Sequence, residues 1–302
     1  MEQKTPGKSY VFLPWVLTFT LLAALALFGY YRGSPNPFEA EFIKVDLLST
    51  MRIHLLEAIE AEKNAVLAIT DESSENFAIR ARQASDDVEN SRKKLEAVIR
   101  GEQRPRETGI LNDFTVCWSQ FRKLDETVLG LATQNTNLKA QKISATQGAE
   151  EMERFEQSLK RLIQRNTNNS PCNEAGILSY EALTAGLKIF ALHKPHIEEA
   201  DDQAMDKIEQ SIKSYDASAG KALGSLRGIA DPSANEDLKQ AATAYERFMT
   251  LTGEVLRLSR MNTNIKSAEL SLGKKRLISS QCQEILASLQ ETVQVQRSKA
   301  TR

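Results

Sequence analysis

One internal offset constrains the fold of this chain more than any other sequence feature. A shift of 127 residues places Asn135–Lys139 (NTNLK) on Asn262–Lys266 (NTNIK) without a gap. The same shift aligns apolar residues along two long stretches: Leu111 with Leu238, Phe121 with Phe248, Leu124 with Leu251, Val128 with Val255, Leu131 with Leu258, Leu159 with Leu286, and Leu162 with Leu289. An offset that preserves an apolar seam through two amphipathic stretches predicts a duplicated structural unit.

The duplicated unit has the composition and periodicity of helices. Only 14 Gly and 8 Pro residues interrupt stretches rich in Ala, Leu, Glu, Lys and Gln, which are strong helix formers. After Pro37 an apolar stripe, interrupted by Glu62, recurs at helical spacing: Leu48, Met51, Leu55, Ile59, Val66 and Ile69. We predict four helices in each copy, although the first two helices of the copies match less well. The predicted fold is all-α, with two tandem antiparallel four-helix bundles.

The boundary between the copies is predicted from a change in residue type. The run RNTNNSPCN at residues 165–173 replaces apolar periodicity with turn-forming Asn, Ser and Pro. We therefore place the first bundle at residues 38–165, a linker at residues 166–175 and the second bundle at residues 176–299.

An uncharged segment precedes the first bundle. Residues Tyr10–Tyr31 carry no charge over 22 positions, roughly enough helix to cross a ~30 Å hydrocarbon layer. Lys4 and Lys8 favour a cytoplasmic location for residues 1–9, so the segment is expected to be a single-pass anchor in the inner membrane with the remaining chain in the periplasm. The alternative is a signal peptide cleaved near Ala24–Ala26. Both interpretations export the chain from Arg32 onwards.

Two asparagines occupy equivalent places in the predicted third helices. Phe121, Val128 and Asn135 are spaced by seven residues, which places Asn135 on the core-facing seam, and Asn262 has the same place in the second copy. A buried seam asparagine fixes the register of packed helices at some cost in stability. We interpret both as structural seam residues, with a ligand or signalling contact as the alternative.

Residues with catalytic or metal-binding chemistry are sparse. The nucleotide-binding, nucleophile-elbow and zinc-helix motifs are absent, and histidine occurs only at His54, His193 and His196. We predict no enzymatic activity and no cofactor. His193 and His196 with Glu199 are the only candidate metal ligands, but Pro195 favours a helix end or kink with exposed polar groups there, so no metal site is predicted.

The charge balance and the cysteines bear on nucleic-acid binding and on disulfide pairing. Lys and Arg (39) balance Asp and Glu (40) and aromatic residues make up 6%, so nucleic-acid binding is not expected. Cys117 and Cys282 fall within helical patterns as candidate core residues, and Cys172 falls in the linker. An odd number cannot all pair within one chain, and the pattern leaves any pairing open.

Several segments resemble a known family. The long third helix, a turn near Ser144–Gly148 and a returning fourth helix resemble the ligand-binding four-helix bundles of methyl-accepting chemotaxis receptors, which follow an N-terminal membrane helix. His193–Glu209 and Leu258–Leu286 are similar to segments of receptor-like periplasmic proteins with this bundle. The resemblance stops after the fourth helix, so we expect the receptors' second membrane helix and cytoplasmic signalling part to be missing.

The resemblance implies a sensory function without identifying a ligand pocket. The family's amino-acid pocket uses arginines of the first helix, where this chain has only Arg52. We expect a membrane-anchored periplasmic sensor or interaction module that acts through a partner protein, such as a transmembrane receptor or kinase. A small-molecule ligand and a homodimer are compatible with it. The alternative is a structural helical envelope scaffold without ligand binding.

Overall fold

A computed structural model describes residues 37–166, 174–229 and 232–300. The expected cytoplasmic N-terminus (residues 1–9), the anchor (residues 10–31) and the linker cysteine Cys172 lie outside these ranges. Within them every regular element is a helix, so the predicted all-α fold is confirmed.

The helices recur in the same order in the two halves. In the first half they are α1 (Pro37–Leu67), α2 (Asp71–Glu102), α3 (Pro105–Ala132), α4 (Thr136–Ile143), the π-helical turn π1 (Ser144–Gly148) and α5 (Ala149–Asn166). In the second half they are α6 (Glu174–Glu198), α7 (Asp202–Ile229), a 3-10 turn (Pro232–Ala234), α8 (Asn235–Met261), α9 (Thr263–Leu270), π2 (Ser271–Lys275) and α10 (Arg276–Ala300). Both α4 and π1 reappear 127 residues later as α9 and π2.

The turn predicted near Ser144–Gly148 is wrong. These residues form π1, and the residues on either side of it are helical, so the chain continues from α4 into α5. The chain instead leaves the helical conformation at Asn135, whose φ of 51° and ψ of 39° are left-handed. Asparagine tolerates this conformation better than most residues. A single left-handed residue scarcely disturbs the apolar spacing, which is why the periodicity predicted one continuous helix here.

The chain divides into two compact units, and unit 2 comprises residues 55–86 and 116–282. Within unit 2, the second bundle is built from α6, α7 and α8 together with α4, π1 and α5. Its core cluster joins side chains of α5 to the other three helices: Met152, Phe155, Leu159 and Leu162 with Ala182, Ile189, Ile212, Leu226 and Phe248. The fourth helix of the first copy therefore completes the bundle of the second copy.

Unit 2 also contains part of the first bundle, whose fourth position is filled from the other copy. Apolar residues of α1, α2 and α3, mostly alanines, pack together: Ala61, Ala65, Ala78, Ala81, Leu129 and Ala132. Cys282 of α10 forms a disulfide with Cys117 of α3, with a Cα–Cα distance of 5.7 Å. The two copies have exchanged their fourth helices, so the bundle limits 38–165 and 176–299 are wrong. Apolar periodicity reports which face of a helix is buried, not which neighbours bury it.

Unit 1 comprises the described residues up to 54, residues 87–115 and the chain from residue 283. Here too α10 packs on the helices of the first copy. Arg52 donates to the side-chain oxygen of Gln290 at 2.6 Å, and Arg104 donates to Gln296. Lys44 is fully buried, and its Nζ lies 2.7 Å from Glu102 and 2.9 Å from Glu107. Burial lowers the pKa of Lys44, but the hydrogen bonds that its ammonium group donates to these carboxylates and to Glu41 outweigh that effect, so the pKa is raised.

Of the described helices, α6 alone is long and apolar enough to cross a membrane. Its Ala182, Leu183 and Ile189 belong to the core of the second bundle. The helix therefore has the packing of a bundle core, which requires the same length and composition.

Candidate functional site

The two exchanged connections meet at a junction that we call the crossover, formed by Asn135–Asn137 and Asn262–Asn264. At its centre, the backbone N–H of Thr136 donates to Oγ1 of Thr263 at 3.2 Å. The N–H of Thr263 donates in return to Oγ1 of Thr136, also at 3.2 Å, and the two hydroxyl oxygens are 3.1 Å apart. Residues separated by 127 positions thus bond reciprocally about a local two-fold axis.

The flanking asparagines extend this reciprocity. The N–H of Asn137 donates to Oδ1 of Asn264 at 3.1 Å, and the N–H of Asn264 donates to Oδ1 of Asn137 at 3.3 Å. Asn264 Nδ2 donates to Asn135 Oδ1 at 2.9 Å, while Asn137 Nδ2 donates to Asn262 Oδ1 at 2.7 Å. The first N–H groups of a helix have no partner within that helix. At the crossover, side chains of α4 cap α9 and side chains of α9 cap α4.

The crossover also holds the turns at which α1 meets α2 and α6 meets α7. Asn135 Nδ2 donates to Asp71 Oδ1 at 3.0 Å, at the start of α2. Asn262 Nδ2 donates to the carbonyl of Glu199 at 2.9 Å, just after α6. Asn135 and Asn262 are therefore buried, but they lie between helices in left-handed conformations rather than within a helical seam. Their polar contacts connect the two copies.

The histidines of α6 lie in the core of the second bundle instead of at an exposed helix end. His193 is 1% exposed, with Nδ1 2.9 Å from the Ser144 hydroxyl and Nε2 3.0 Å from the Thr252 hydroxyl. Burial, with a smaller contribution from His196, lowers the pKa of His193 to about 4. The prediction of exposed polar groups near Pro195 is wrong, because α6 continues through Pro195 to Glu198 and hydroxyl groups satisfy the buried ring.

His196 belongs to a second network at the end of α6. Its Nδ1 lies 2.8 Å from the Ser259 hydroxyl and its Nε2 lies 3.1 Å from Glu209, which Arg260 also binds at 2.7 Å. This serine, histidine and carboxylate order occurs in nucleophilic catalysis. Here Ser259 and His196 are fully buried, and the Ser259 hydroxyl also lies 2.8 Å from the carbonyl of His196. Burial lowers the pKa of His196, although the hydrogen bond that Glu209 accepts from the ring opposes this shift. The network stabilises a helix end.

The candidate metal ligands are not brought together. The rings of His193 and His196 bond to different hydroxyl groups, and Glu199 Oε1 accepts the N–H groups of Ala200 and Asp201 at 2.9 Å each. Throughout the part of the chain that the structure describes, no group of three or more His, Cys, Asp or Glu side chains is placed to hold a metal ion.

A buried ionic site in the first bundle was not predicted from the sequence. Lys275 Nζ of π2 bonds to Asp125, lies 3.4 Å from Glu62 and lies 4.1 Å from the ring centroid of Phe121. All three ionisable side chains are buried, and Glu62 Oε1 has no hydrogen-bond partner. Burial raises the pKa of Asp125, Lys275 opposes that shift and Glu62 adds to it. The sequence signal for this site was Glu62, which interrupts the apolar stripe of α1.

A charged groove runs between α5 and α8 of the second bundle. It has a volume of about 360 Å³, and its wall includes Arg154, Arg161, Lys239 and Arg247 with Glu151 and Glu236. Glu151 is largely buried, and its Oε2 lacks a hydrogen-bond partner. The groove offers several cationic donors and one buried acceptor, the groups that recognise a small polar ligand.

Comparison with known proteins agrees with the resemblance found in the sequence. Residues 38–172 match the profile of a family described as a four helix bundle sensory module for signal transduction. None of the curated proteins matches the chain significantly. The resemblance to the sensory bundle of chemotaxis receptors is confirmed for this part of the chain, and the function associated with that family is sensory rather than catalytic.

Proposed function

We propose that the chain is a membrane-tethered sensory module, exported from the cytoplasm, that acts on a partner protein in the membrane. The match of residues 38–172 to a sensory family carries this proposal. The uncharged segment Tyr10–Tyr31 supports the tether. The disulfide between Cys117 and Cys282 supports export, because such bonds persist in oxidising compartments.

The sensory event we propose is binding of a small polar ligand in the groove between α5 and α8. A ligand that bridges these helices would favour one arrangement of α5 over another. The arrangement of α5 would then affect α4, because π1 connects them without a break. At the crossover α4 and α9 share the reciprocal bonds of Thr136 and Thr263, which link the groove to the first bundle within unit 2.

The partner is tested by crosslinking in the native membrane. The full chain, carrying an affinity tag at its C-terminus, is treated with a short membrane-permeable crosslinker and purified under mild conditions. We expect one transmembrane receptor or kinase to be enriched over a control with an unrelated protein tethered by the same N-terminal segment. Recovery of the chain alone, or only of itself, would count against the partner.

The ligand is tested separately by thermal shift on the chain from Arg32 onwards. A library of small carboxylates, amines and zwitterions is screened, because a ligand that binds only the folded state raises Tm by mass action. Arg247→Ala should abolish a shift caused by binding in the groove, whereas Arg257→Ala, on the same helix outside it, should preserve the shift. A shift that survives Arg247→Ala would place the ligand elsewhere.

The alternative function is a structural helical scaffold of the envelope. The buried ion pair and the disulfide favour a rigid structural role, since they reduce the number of arrangements open to the helices they join. A scaffold predicts no ligand-dependent Tm and no stoichiometric membrane partner. Failure of both experiments above would select it.

A further inference from the structure

We propose that the two fourth-helix positions of unit 2 are chemically selective, so that one accepts only α10 and the other only α5, and that transposing one buried charge reverses the exchange. The alternative arrangement is a self-closed one, in which each copy folds back on its own fourth helix. A connection of two to five residues suffices for such a helical hairpin, and Thr133–Asn135 has that length.

The cysteines match only the exchanged arrangement. The repeat equates Cys117 with Ala244 and Phe155 with Cys282, since 117 + 127 = 244 and 155 + 127 = 282. The exchanged fold pairs Cys117 with Cys282 and packs Phe155 in the same core cluster as Ala244. The self-closed fold would place Cys117 against Phe155 and Cys282 against Ala244, so neither sulfur would meet another.

The buried charges match only the exchanged arrangement as well. The repeat equates Lys275 with Gly148 and Asp125 with Thr252, since 148 + 127 = 275 and 125 + 127 = 252. In the exchanged fold Lys275 faces Asp125 and Glu62. In the self-closed fold the two carboxylates would face Gly148 in a buried site without a cation, and Lys275 would meet Thr252 without a carboxylate. An unpaired buried charge is strongly destabilising.

A third pair gives the same result in the second bundle. Arg161 of α5 donates to Asp237 of α8 at 2.9 Å, and Asp237 is 4% exposed. The repeat equates Arg161 with Ser288 and Asp237 with Ile110, since 161 + 127 = 288 and 110 + 127 = 237. In the self-closed fold Arg161 would face Ile110, and Asp237 would face Ser288. Three independent pairs thus select the exchange over a repeat that would otherwise allow both arrangements.

A competition between cysteines reads out the arrangement. In the full chain in detergent, Ala244→Cys with Cys172→Ser lets Cys282 form a disulfide either with Cys117, its exchanged partner, or with residue 244, its self-closed partner. The protein is refolded in a mixture of reduced and oxidised glutathione. Each bond converts two thiols into one disulfide and reduces one oxidised glutathione to two reduced molecules. Peptide mapping without reduction then gives the ratio of the two bonds.

With Gly148 and Lys275 unchanged, we expect the disulfide from Cys117 to Cys282 to exceed the disulfide from Cys282 to residue 244 by at least about tenfold. Adding Gly148→Lys with Lys275→Gly moves the cation to the other fourth helix, and the ratio should invert. A Cβ at Gly148 would lie 3.4 Å from the nearest atom, an ordinary contact, so the backbone there tolerates replacement of the glycine. Retention of the native bond in the folded transposed protein would overturn the proposal.

A second measurement decides the question if the transposed protein does not fold. Cys117→Ala with Cys172→Ser and Ala244→Cys, at native charges, leaves only the self-closed pair available. We expect both thiols to remain reduced. The matched control replaces Phe155 and Ala244 by cysteine in a chain without native cysteines, and this exchanged pair should oxidise. Ready oxidation of the self-closed pair would overturn the proposal.

Discussion

The two bundles of unit 2 have corresponding helices but bury different chemistry at corresponding places. The first bundle contains a disulfide, two carboxylates and an ammonium group, at Cys117, Cys282, Glu62, Asp125 and Lys275. At the places that the 127-residue repeat equates, the second bundle has Ala244, Phe155, Thr252 and Gly148. Aligning Asp71 with Asp202, the starts of α2 and α7 (202 − 71 = 131), places Glu62 at His193 (193 − 62 = 131).

This difference shows that the same arrangement of three helices can specify its fourth helix in two ways. In the first bundle, the fourth helix is recognised by charge and by a covalent bond. In the core of the second bundle, it is recognised by aromatic packing, with the rings of Phe155 and Tyr245 5.1 Å apart, and by neutral hydrogen bonds to His193. The ion pair of Arg161 with Asp237 lies at the edge of this core, where Arg161 is partly exposed. Charge recognition is costly when broken, whereas neutral recognition depends on the histidine staying unprotonated.

The largest expected effect comes from removing the buried cation. Lys275→Met leaves Glu62 and Asp125 buried without a partner, so the free energy of unfolding should fall by about 3–5 kcal/mol in urea denaturation. Lys274→Met, at the exposed neighbouring position, should change it by less than about 0.5 kcal/mol. Equal losses of stability for the two substitutions would mean that the buried ionic site does not stabilise the first bundle in a way that the second bundle lacks.

Removing the disulfide should have the next largest effect. Cys117→Ala with Cys282→Ala opens a closure between residues 165 positions apart and should lower the free energy of unfolding by about 2–4 kcal/mol. Addition of a reductant should lower the stability of the native protein similarly and leave that of the variant unchanged. A stability loss confined to the second bundle, measured by hydrogen exchange, would contradict the placement of the bond.

Acidification should weaken the second bundle through His193. The pKa of His193 is lowered from 6.5 to about 4 on folding, so the unfolded chain binds a proton between these values that the folded protein does not. Stability therefore falls as the pH falls below 6.5, by about 2 kcal/mol between pH 6.5 and pH 5. Comparison of His193→Gln with the native protein across this range measures the effect.

Asp125 contributes a pH dependence of opposite sign. Burial raises its pKa, so above the unfolded value of 3.8 the folded protein retains a proton that the unfolded chain has released. The stability contributed by Asp125 is therefore greatest at low pH and falls as the pH rises through that window. If His193→Gln leaves the pH profile unchanged, the contrast between a charged and a neutral core is wrong.

The smallest expected effect lies at the crossover, where the two copies are equivalent. Thr136→Val and Thr263→Val each remove the acceptor of the other residue's N–H, so each should cost about 1–2 kcal/mol. A double-mutant cycle should give a coupling of about 1 kcal/mol. Thr146→Val, whose hydroxyl bonds within its own helix at an exposed site, is the matched control. Purely additive losses would show that the reciprocal bonds act independently.

The sequence was sufficient to predict the helices and much of the buried surface. Leu48, Met51, Leu55, Phe121 and Val128 lie in the core as the apolar stripe predicts. The exchange was not predictable from that stripe, because α5 and α10 present similar apolar seams and either would cover either bundle. The information lay in residues that interrupt the match between the two seams: the repeat equates Lys275 with Gly148, and Cys282 with Phe155. These differences do not indicate which helices pack together until the partners of Lys275 and Cys282 are known.

The prediction that His193 and His196 are exposed was wrong for a related reason. Pro195 lacks a backbone N–H and clashes with the preceding turn, which favours a helix end. In the structure α6 runs only three residues beyond Pro195, so the cost is confined to its last turn. Of the partners that make burial of His193 favourable, Thr252 lies in the bundle that the sequence assigned to His193, but Ser144 comes from the first copy, which the sequence assigned to the other bundle.

The exchange also has a consequence for the order in which the molecule can form during synthesis. The second bundle is contiguous in the chain, from Thr136 in α4 to Met261 in α8, so all of its helices are synthesised before α9. The first bundle begins earlier but lacks its fourth helix until α10 has been synthesised, after the whole of the second bundle. Although domains near the N-terminus usually fold first, here the bundle that starts first must finish last, and its three early helices need protection from aggregation until then.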